Sequence, residues 1–445
     1  MELSVELKKE IQLNSTEIGE RIYNLAEILF PICRSITGNG VRETLDTVSY
    51  IIPLTIHEIP TGTQVFDWEV PKEWNIRDAY IKDENGNKII DFNVNNLHVV
   101  SYSKPVHKKL NLKELKSHLH TLPDKPDWIP YRTSYYEETW GFCLTHNQLL
   151  SLHDGVYEVF IDSSLSDGSL TYGEYKINGK TKKEVLISTH VCHPSLANDN
   201  LSGIGLSTYL ANALSKKQPY YTYRFLFIPG TIGSISWLAT NEAKIKNIAH
   251  GLVLSCVGDA GGPTYKKSRR GNAAIDYAMQ HILTHSEYHE AIEDFSPYGY
   301  DERQFCSPGF NLPMGLFERS KYGQYPEYHT SADNLSLISP KSLSESYEMV
   351  MSCIEILENN RTYVNKKNKC EPQLGKRGLY KAIGGDNEAA RKQLAMLWVL
   401  NQSDGHQSLL DISLKSEMPF ALINEVALIL TEFDLIAETR EPEKV

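Results

Sequence analysis

His190-Val-Cys-His193-Pro-Ser-Leu-Ala-Asn-Asp199-Asn200-Leu-Ser-Gly203 sets two histidines and a carboxylate just beyond an apolar run, where a metal ion can be held. The preceding run, Lys183-Glu-Val-Leu-Ile-Ser-Thr189, is short, rich in β-branched residues and follows an Asn178-Gly179 hairpin signal. It reads as a buried strand that delivers His190 at its carboxyl end. After Asp199, apolar Ile204, Leu206, Leu210, Ala213 and Leu214 recur at helical spacing, so an amphipathic helix follows. Asp199 therefore belongs to a strand-to-helix loop, and open α/β sheets bind ligands in the crevice beyond the carboxyl ends of their strands. Imidazole and carboxylate are the ligand types of a catalytic zinc with an open position. The plainer reading of a bare His-x-x-His is a pair of structural histidines satisfied locally.

The surrounding pattern resembles the metal-binding core of the zinc-dependent exopeptidases, the co-catalytic aminopeptidase and carboxypeptidase superfamily. Asn198-Asp199-Asn200-Leu201-Ser202-Gly203 matches that family's Asn-Asp-Asn-x-Ser-Gly segment. Tyr328-His329-Thr330-Ser331-Ala332-Asp333 is similar to its Tyr-His-Thr-x-x-Asp segment. By this resemblance His190, Asp199 and His329 are metal ligands, and Asp199 is able to bridge two ions. The likeness stops at three places. The family's Glu-Glu pair, one the general base and one a ligand, gives way to Gly230-Thr231 after the strand Tyr223-Arg-Phe-Leu-Phe-Ile-Pro229. Ser255 stands where an aspartate ligand is usual, with Asp259 four residues later, and Cys192 replaces the aspartate two residues beyond the first histidine.

With three ligands kept, the resemblance implies a single zinc ion per chain, with His193 or Asp259 available to complete its shell. Metal-assisted hydrolysis follows, in which the ion acidifies water and polarises a carbonyl. A general base adds a factor of about 100 to 10,000. Glu318, ending the strand-like Leu312-Pro-Met-Gly-Leu-Phe317, and Glu138 are the candidates by position. If neither reaches the site, the chain is a binding relic of an enzyme.

A length of 445 residues implies two or three domains, and 41% apolar residues with 10% aromatics are ample for a core. A formal charge of −11 argues against a whole-surface nucleic-acid binder. The sequence shows no apolar run near the length of a membrane span and no charged-then-apolar leader, so neither membrane insertion nor secretion is expected. Seven scattered cysteines without a Cys-x-x-Cys fit reduced thiols in the cytoplasm. Cys192, between the two histidines, is available as a soft ligand, although thiolates are the minority choice in hydrolytic sites.

The expected fold is α/β: a mixed-sheet, zinc-exopeptidase-like core in 1–60 and 151–360, an inserted β-rich domain in 61–150, and a winged-helix-like helical domain in 370–445. A helix over Ser15–Phe30 presents Ile18, Ile22, Leu25, Ala26 and Leu29 on one face. Cys33–Arg42 reads as a connecting loop with solvated arginines, an anion site being the alternative; no phosphate-loop spacing is present. The insert shows β-rich runs at Val65–Val70, Ala79–Ile81 and Leu97–Tyr102, with a hairpin signal at Asn85-Gly86. Its tail, Pro130–Phe142, concentrates aromatics, arginine and carboxylates, and lines either a substrate cleft or an interdomain seam. Arg132 and Tyr135 are its candidate substrate-binding residues. Asp301, in Tyr300-Asp301-Glu-Arg303-Gln-Phe305, resembles a pocket-shaping aspartate of the family. Core strands are expected near 155–161, 170–177 and 183–189, then ending at Pro229, Gly258 and Phe317.

Residues 344–358 read as the last core helix and Asn359–Lys369 as a linker. Three helical patterns follow, over 387–400, 407–415 and 419–433. Such a module raises DNA binding, but the third helix carries no Lys or Arg to face phosphates, which favours protein association or homo-oligomerisation. The whole chain resembles a bacterial group that combines an aminopeptidase-like core, a β-rich insert and a carboxyl-terminal winged helix, often associated with surface-polysaccharide biosynthesis. The resemblance implies a hydrolase cleaving an amide in a small peptide or an aminoacyl or amidated sugar. The rival is a non-catalytic protein that binds a sugar or peptide and recruits DNA or protein through its terminal module.

Overall fold

Strands that are apolar on both faces set the architecture, because such strands are stable only when sheet neighbours and helices cover them completely. In the computed structural model, which describes residues 17–286, 292–379 and 387–439, the chain forms two compact units. The first is Met1–Ala273 with Ala291–Glu348, and the second is Ala274–Glu290 with Met349–Val445.

The first unit begins with a helix over 17–29, burying Ile22, Leu25, Ala26 and Leu29. Gly205 approaches Ile22 so closely that a Cβ there would lie 2.7 Å from its side chain, so this helix packs on the helix that follows Asp199. Next come α1 (Asn39–Ser49) and β1 (Thr55–Pro60). Strands β2 (Glu73–Lys82), β3 (Lys88–Asp91), β4 (Val106–Asn111) and β5 (Val156–Ser166) form a separate antiparallel sheet in the order β3-β2-β5-β4. The 155–161 strand expected in the core belongs to this sheet instead. Its side chains alternate between buried and half-exposed, the pattern of a one-faced sheet. The β2–β3 hairpin turns at Asn85-Gly86, with Gly86 at φ 84°. Leu97–Tyr102 is not a strand: a 3₁₀ turn at Asn96–His98, capped by Asn95, precedes isolated bridges.

The chain then builds β6 (Ser169–Ile177), β7 (Glu184–His190), α2 (Gly203–Ser215), β8 (Thr222–Ile228), α3 (Ile232–Ile245), β9 (Ile248–Leu254), β10 (Thr264–Lys266), β11 (Ile292–Glu293) and β12 (Met314–Glu318). These complete an eight-stranded mixed sheet in the order β1-β6-β8-β7-β9-β12-β10-β11. The middle strands β8, β7, β9 and β12 are parallel and almost wholly buried. Each fully buried Leu, Ile, Val or Phe among them contributes roughly 1.5–3 kcal/mol. The Asn178-Gly179 signal does not close a hairpin, because β8 lies between β6 and β7. Arg224, in the middle of β8, is accommodated by Glu184 at 2.7 and 2.9 Å and by Glu174.

In the second unit, helix α4 (Ala274–Thr284) and strand β13 (Thr362–Asn365) precede α5 (Asn387–Gln402), β14 (Asp404–Ser408), α6 (Leu409–Ser416), α7 (Phe420–Glu432) and β15 (Ile436–Glu438). The three strands form one antiparallel sheet, β14-β13-β15, and with α5–α7 they make a winged helix. The expected linker is thus partly strand: Val364 and Asn365 pair with Ala437 and Ile436. Helix α7 starts after Pro419 with no side-chain cap of its own; His281 Nε2 accepts the Phe420 N–H at 3.0 Å instead. Burial lowers His281 to about 4, which keeps that nitrogen an acceptor. Among the described residues, no helix is long and apolar enough to cross a membrane.

Candidate metal centre

The loops that carry the histidines and Asp199 leave the carboxyl ends of the parallel strands. His190 ends β7, Cys192 and His193 follow it, and Asp199 sits in the irregular turn Ala197–Ser202 before α2. Asp199 has the non-helical φ −109°, ψ 78°, which turns its carboxylate back toward β7. His329 lies in the loop after β12 at φ 55°, and Thr231 and Cys256, after β8 and β9, are also left-handed at φ 66° and 51°. Left-handed non-glycine residues are uncommon and gather at functional loops.

Three imidazoles converge on Asp199. His190 Nε2 donates to Oδ1 at 2.8 Å, His329 Nε2 donates to Oδ2 at 3.0 Å, and His193 Nδ1 lies 3.2 Å from Oδ2. The Asp199 side chain is fully buried, whereas that of His329 is 34% exposed, so the cluster meets solvent on the His329 side. In each of two triads, His190–Cys192–His193 and His193–Asp199–His329, one ligand atom per residue lies within 4.8 Å of the others. Burial works to raise Asp199, but the His193 charge and the bonds from His190, His193 and His329 hold it well below the usual carboxylate range. Burial likewise opposes protonation of His193, and Asp199 with Cys192 outweighs it, raising His193 well above its ordinary value.

Asp333 fixes the Asp199 turn from below. Its carboxylate accepts the Asn198 N–H at 2.6 Å, the Asp199 N–H at 3.1 Å and the Tyr325 hydroxyl at 3.2 Å. Asn200 donates to Thr189 Oγ1 at 2.8 Å and lies 3.3 Å from His190 Nδ1. Tyrosine rings wall the cluster: Tyr300 stacks on His190 at 4.6 Å, Tyr328 on His329 at 4.0 Å, and Tyr131 meets His193 and His329 edge-on at 5.2 and 5.1 Å. Tyr131 arrives through backbone pairing: its N–H donates to the His329 carbonyl at 2.8 Å, and Ser331 N–H donates to the Ile129 carbonyl at 2.8 Å. The Pro130–Phe142 segment therefore contributes to the wall of the centre.

The other candidates are elsewhere. Asp259 is filled by four donors, Asn198 Nδ2 at 3.3 Å, Ser320 N at 3.1 Å, Gly261 N at 2.9 Å and the Ser320 hydroxyl; it joins neither triad. Glu138 lies on the surface, 3.2 Å from Lys72, and does not reach the cluster. Glu318 is buried and accepts the Tyr322 N–H at 3.2 Å, among Glu302, Lys266 and Glu293; Tyr322 and Tyr300 stand between it and His190 in the chain of contacts. Arg132 is exposed and bonds His120 at 2.8 Å. Tyr135 bonds the Tyr131 hydroxyl at 2.8 Å, one side chain removed from the histidines. Asp301 is spent on the Thr231 N–H at 2.7 Å and Ser234 at 2.9 Å, which shapes the turn after β8.

Sequence reasoning missed Tyr131, Tyr328 and Asp333 as parts of the centre, although the last two lie inside the quoted motif. It also read Arg34 as solvated. Arg34 is buried, with Nε on the His193 carbonyl and Nη1 on the Leu29 carbonyl. Arg42 makes a bidentate pair with Glu73. Ser195 and Ser331, each two residues beyond a cluster histidine, help line a polar cavity of about 670 Å³ completed by Trp74, Asn75, Phe92 and Asn96.

A mixed sheet whose parallel strands carry a histidine–aspartate cluster at their carboxyl ends, followed by a winged helix, defines an aminopeptidase-like α/β protein. The chain belongs to the family described as a domain of unknown function, DUF4910, which it matches over residues 23–360; residues 361–438 match the winged helix-turn-helix family. A Clostridium acetobutylicum protein is 57% identical over 97% of this chain and 99% of its own length. It is provisionally named as a polysaccharide biosynthesis protein with an aminopeptidase-like domain. A crystal structure of a provisional peptidase from the same species is 56% identical, covers 98% of this chain and 99% of its own, and superposes with a TM-score of 0.92. A zinc aminopeptidase from Bacillus subtilis shares the fold at 13% identity and TM-score 0.56, over 80% of this chain and 96% of its own.

Proposed function

We propose that this chain is a metal-dependent hydrolase of aminopeptidase or amidohydrolase type, acting on an amide in a small peptide or an aminoacyl or amidated sugar. The convergence of His190, His193 and His329 on the ionised, buried Asp199 carries this reading. Three imidazoles and one carboxylate suit zinc, and a carboxylate held ionised is ready to ligate without first losing a proton. His190, Asp199 and His329 would hold one ion, with His193 or a water in the fourth position. Bound there, zinc would polarise a substrate carbonyl and acidify water.

The rest falls to the protein's own side chains. Tyr131, Tyr300 and Tyr328, whose hydroxyls burial pushes above the ordinary phenol range, stay neutral and offer hydrogen bonds without charge. The cavity beside Ser195 and Ser331, with its amide and aromatic lining, suits a polyhydroxylated substrate part. Among the described residues, Asp199 is the sole carboxylate in the triads, so turnover should lack the factor of about 100 to 10,000 that a placed base supplies. That same observation favours a second reading, a non-catalytic binder of a sugar or peptide.

Metal analysis followed by a panel of peptide, aminoacyl-sugar and amidated-sugar substrates tests the proposal. Hydrolysis abolished by chelation and restored by zinc supports the enzyme. Zinc-loaded protein that binds sugars without turnover supports the binder. We place the protein in a reducing cytoplasm, in keeping with its seven free thiols, and assign the winged helix to self-association.

A further inference from the structure

We propose that Cys192 is a ligand of this metal, so that the two triads are one centre of mixed thiolate, imidazole and carboxylate donors. The inference rests on the single-site reading above and adds to it the sulfur and the charge of the site.

Its basis is position and charge. Cys192 is 4% exposed and lies between two cluster histidines in sequence; its Sγ is within 4.8 Å of a ring nitrogen of each. His193 belongs to both triads, so the two share one imidazole. The backbone keeps room for the sulfur: a Cβ on Gly230 would stand 3.2 Å from Cys192 Sγ, closer than most such contacts. With Asp199 as one anion, a divalent ion in this largely buried site is balanced in charge when a second anionic ligand joins it. Among the described residues no other carboxylate joins the triads. Deprotonated Cys192 closes the balance: its proton leaves to solvent as the sulfur–metal bond forms, and the ion with its two anionic ligands is neutral. Cys256, by contrast, has its sulfur 3.8 and 3.7 Å from the hydroxyls of Tyr300 and Tyr325 and belongs to neither triad.

Cobalt(II) reports thiolate ligation directly. The full-length chain, reduced with a phosphine and carrying Cys370→Ser to remove the exposed thiol, is titrated with cobalt and followed in the near ultraviolet and visible. The expected result is a sulfur-to-cobalt charge-transfer band that saturates at one equivalent. The band is lost in Cys192→Ser and Cys192→Ala, survives in Cys256→Ser, and shifts in Gly230→Ala. Both Cys192 variants are checked for native circular dichroism, and binding of cobalt by the folded variant is followed by equilibrium dialysis. A bound cobalt that requires His329 but shows no such band, or one unchanged by Cys192→Ser, overturns the ligand assignment and leaves the site reading intact. Cobalt uptake indifferent to both His329→Ala and Asp199→Asn overturns the site reading and this inference with it.

Discussion

Arg34 donates its Nε–H to the carbonyl oxygen of His193 at 3.0 Å, tying the loop before α1 to the centre from behind. The guanidinium also reaches the Leu29 carbonyl at 2.8 Å and Thr44 Oγ1 at 3.3 Å, so its partners are neutral oxygens. Burial lowers it to about 10, still well above neutrality, so it remains a cation. Replacing it with alanine strands two backbone carbonyls that lost water on folding. Arg34→Ala is expected to lower stability by about 3 kcal/mol in urea titrations, the scale of hydrogen bonds to a charged group. It should also weaken metal binding about tenfold by freeing the His193 loop. Unchanged metal affinity in a folded variant would mean that His193 is held by other contacts.

Asp199 is the hub on which three imidazoles meet, so its charge matters more than its volume. Asp199→Asn keeps the shape and removes the anion. Zinc affinity, measured by competition with a chromophoric chelator, should fall by at least about 100-fold, beyond the usual effect of losing an outer-shell partner. His329→Ala is expected to match it. Retention of zinc by both variants would place the ion elsewhere.

Glu318 offers a test through pH. Burial pushes its carboxyl from 4.5 up to about 8, aided by Glu302, while the Tyr322 N–H and Lys266 oppose the shift. A carboxyl whose folded value is raised binds its proton more tightly in the native state. Its contribution is therefore fully present below about 4.5 and is lost progressively as pH rises toward about 8. The slope approaches about 1.4 kcal/mol per pH unit within that window. Urea midpoints at pH 5, 6.5 and 8 should fall in the native protein and fall less steeply in Glu318→Gln, which mimics the neutral acid. Equal slopes in the two proteins would show that Glu318 is ionised in the fold.

Asp199 and His329 were singled out by segments that resemble those of the zinc exopeptidases; His190 was legible in the sequence because it ends an apolar run, and a strand apolar on both faces can only lie in the middle of a covered sheet. The parallel core and the three carboxyl-terminal helices were readable for the same reason, as hydrophobic period survives in one dimension. What was lost is pairing at long range. The β5 strand looked like its neighbour β6 until its alternation was matched to β2 and β4, and the Asn178-Gly179 turn gave no hint that β8 would intervene. Tyr131 comes to the histidines through pairing of 129–131 with 329–331, across about 200 residues that no local pattern links. Arg34 was misread because an arginine among small polar residues is usually solvated, and only the fold supplies the carbonyls that bury it.

The winged helix poses the last test, because its charge is not where a DNA reader keeps it. Helix α7 holds no Lys or Arg, and its Glu425 pairs with Lys392 at 2.5 Å, while Leu428 is 54% exposed. Cations gather instead in a groove lined by Lys366, Lys367, Lys369, Lys376 and Arg377. Lys366 is already engaged by Asp434. Any affinity for duplex DNA should therefore be non-specific and steeply salt-dependent, since each phosphate contact adds about 0.9 to the logarithmic salt slope. Lys369→Glu with Lys376→Glu should abolish it, whereas Glu425→Gln should leave it unchanged. Self-association predicts a different sensitivity: Leu428→Glu should lower the mass seen by light scattering without altering retention on heparin. If α7 substitutions instead change sequence preference on DNA, the helix reads bases and the assignment to self-association falls.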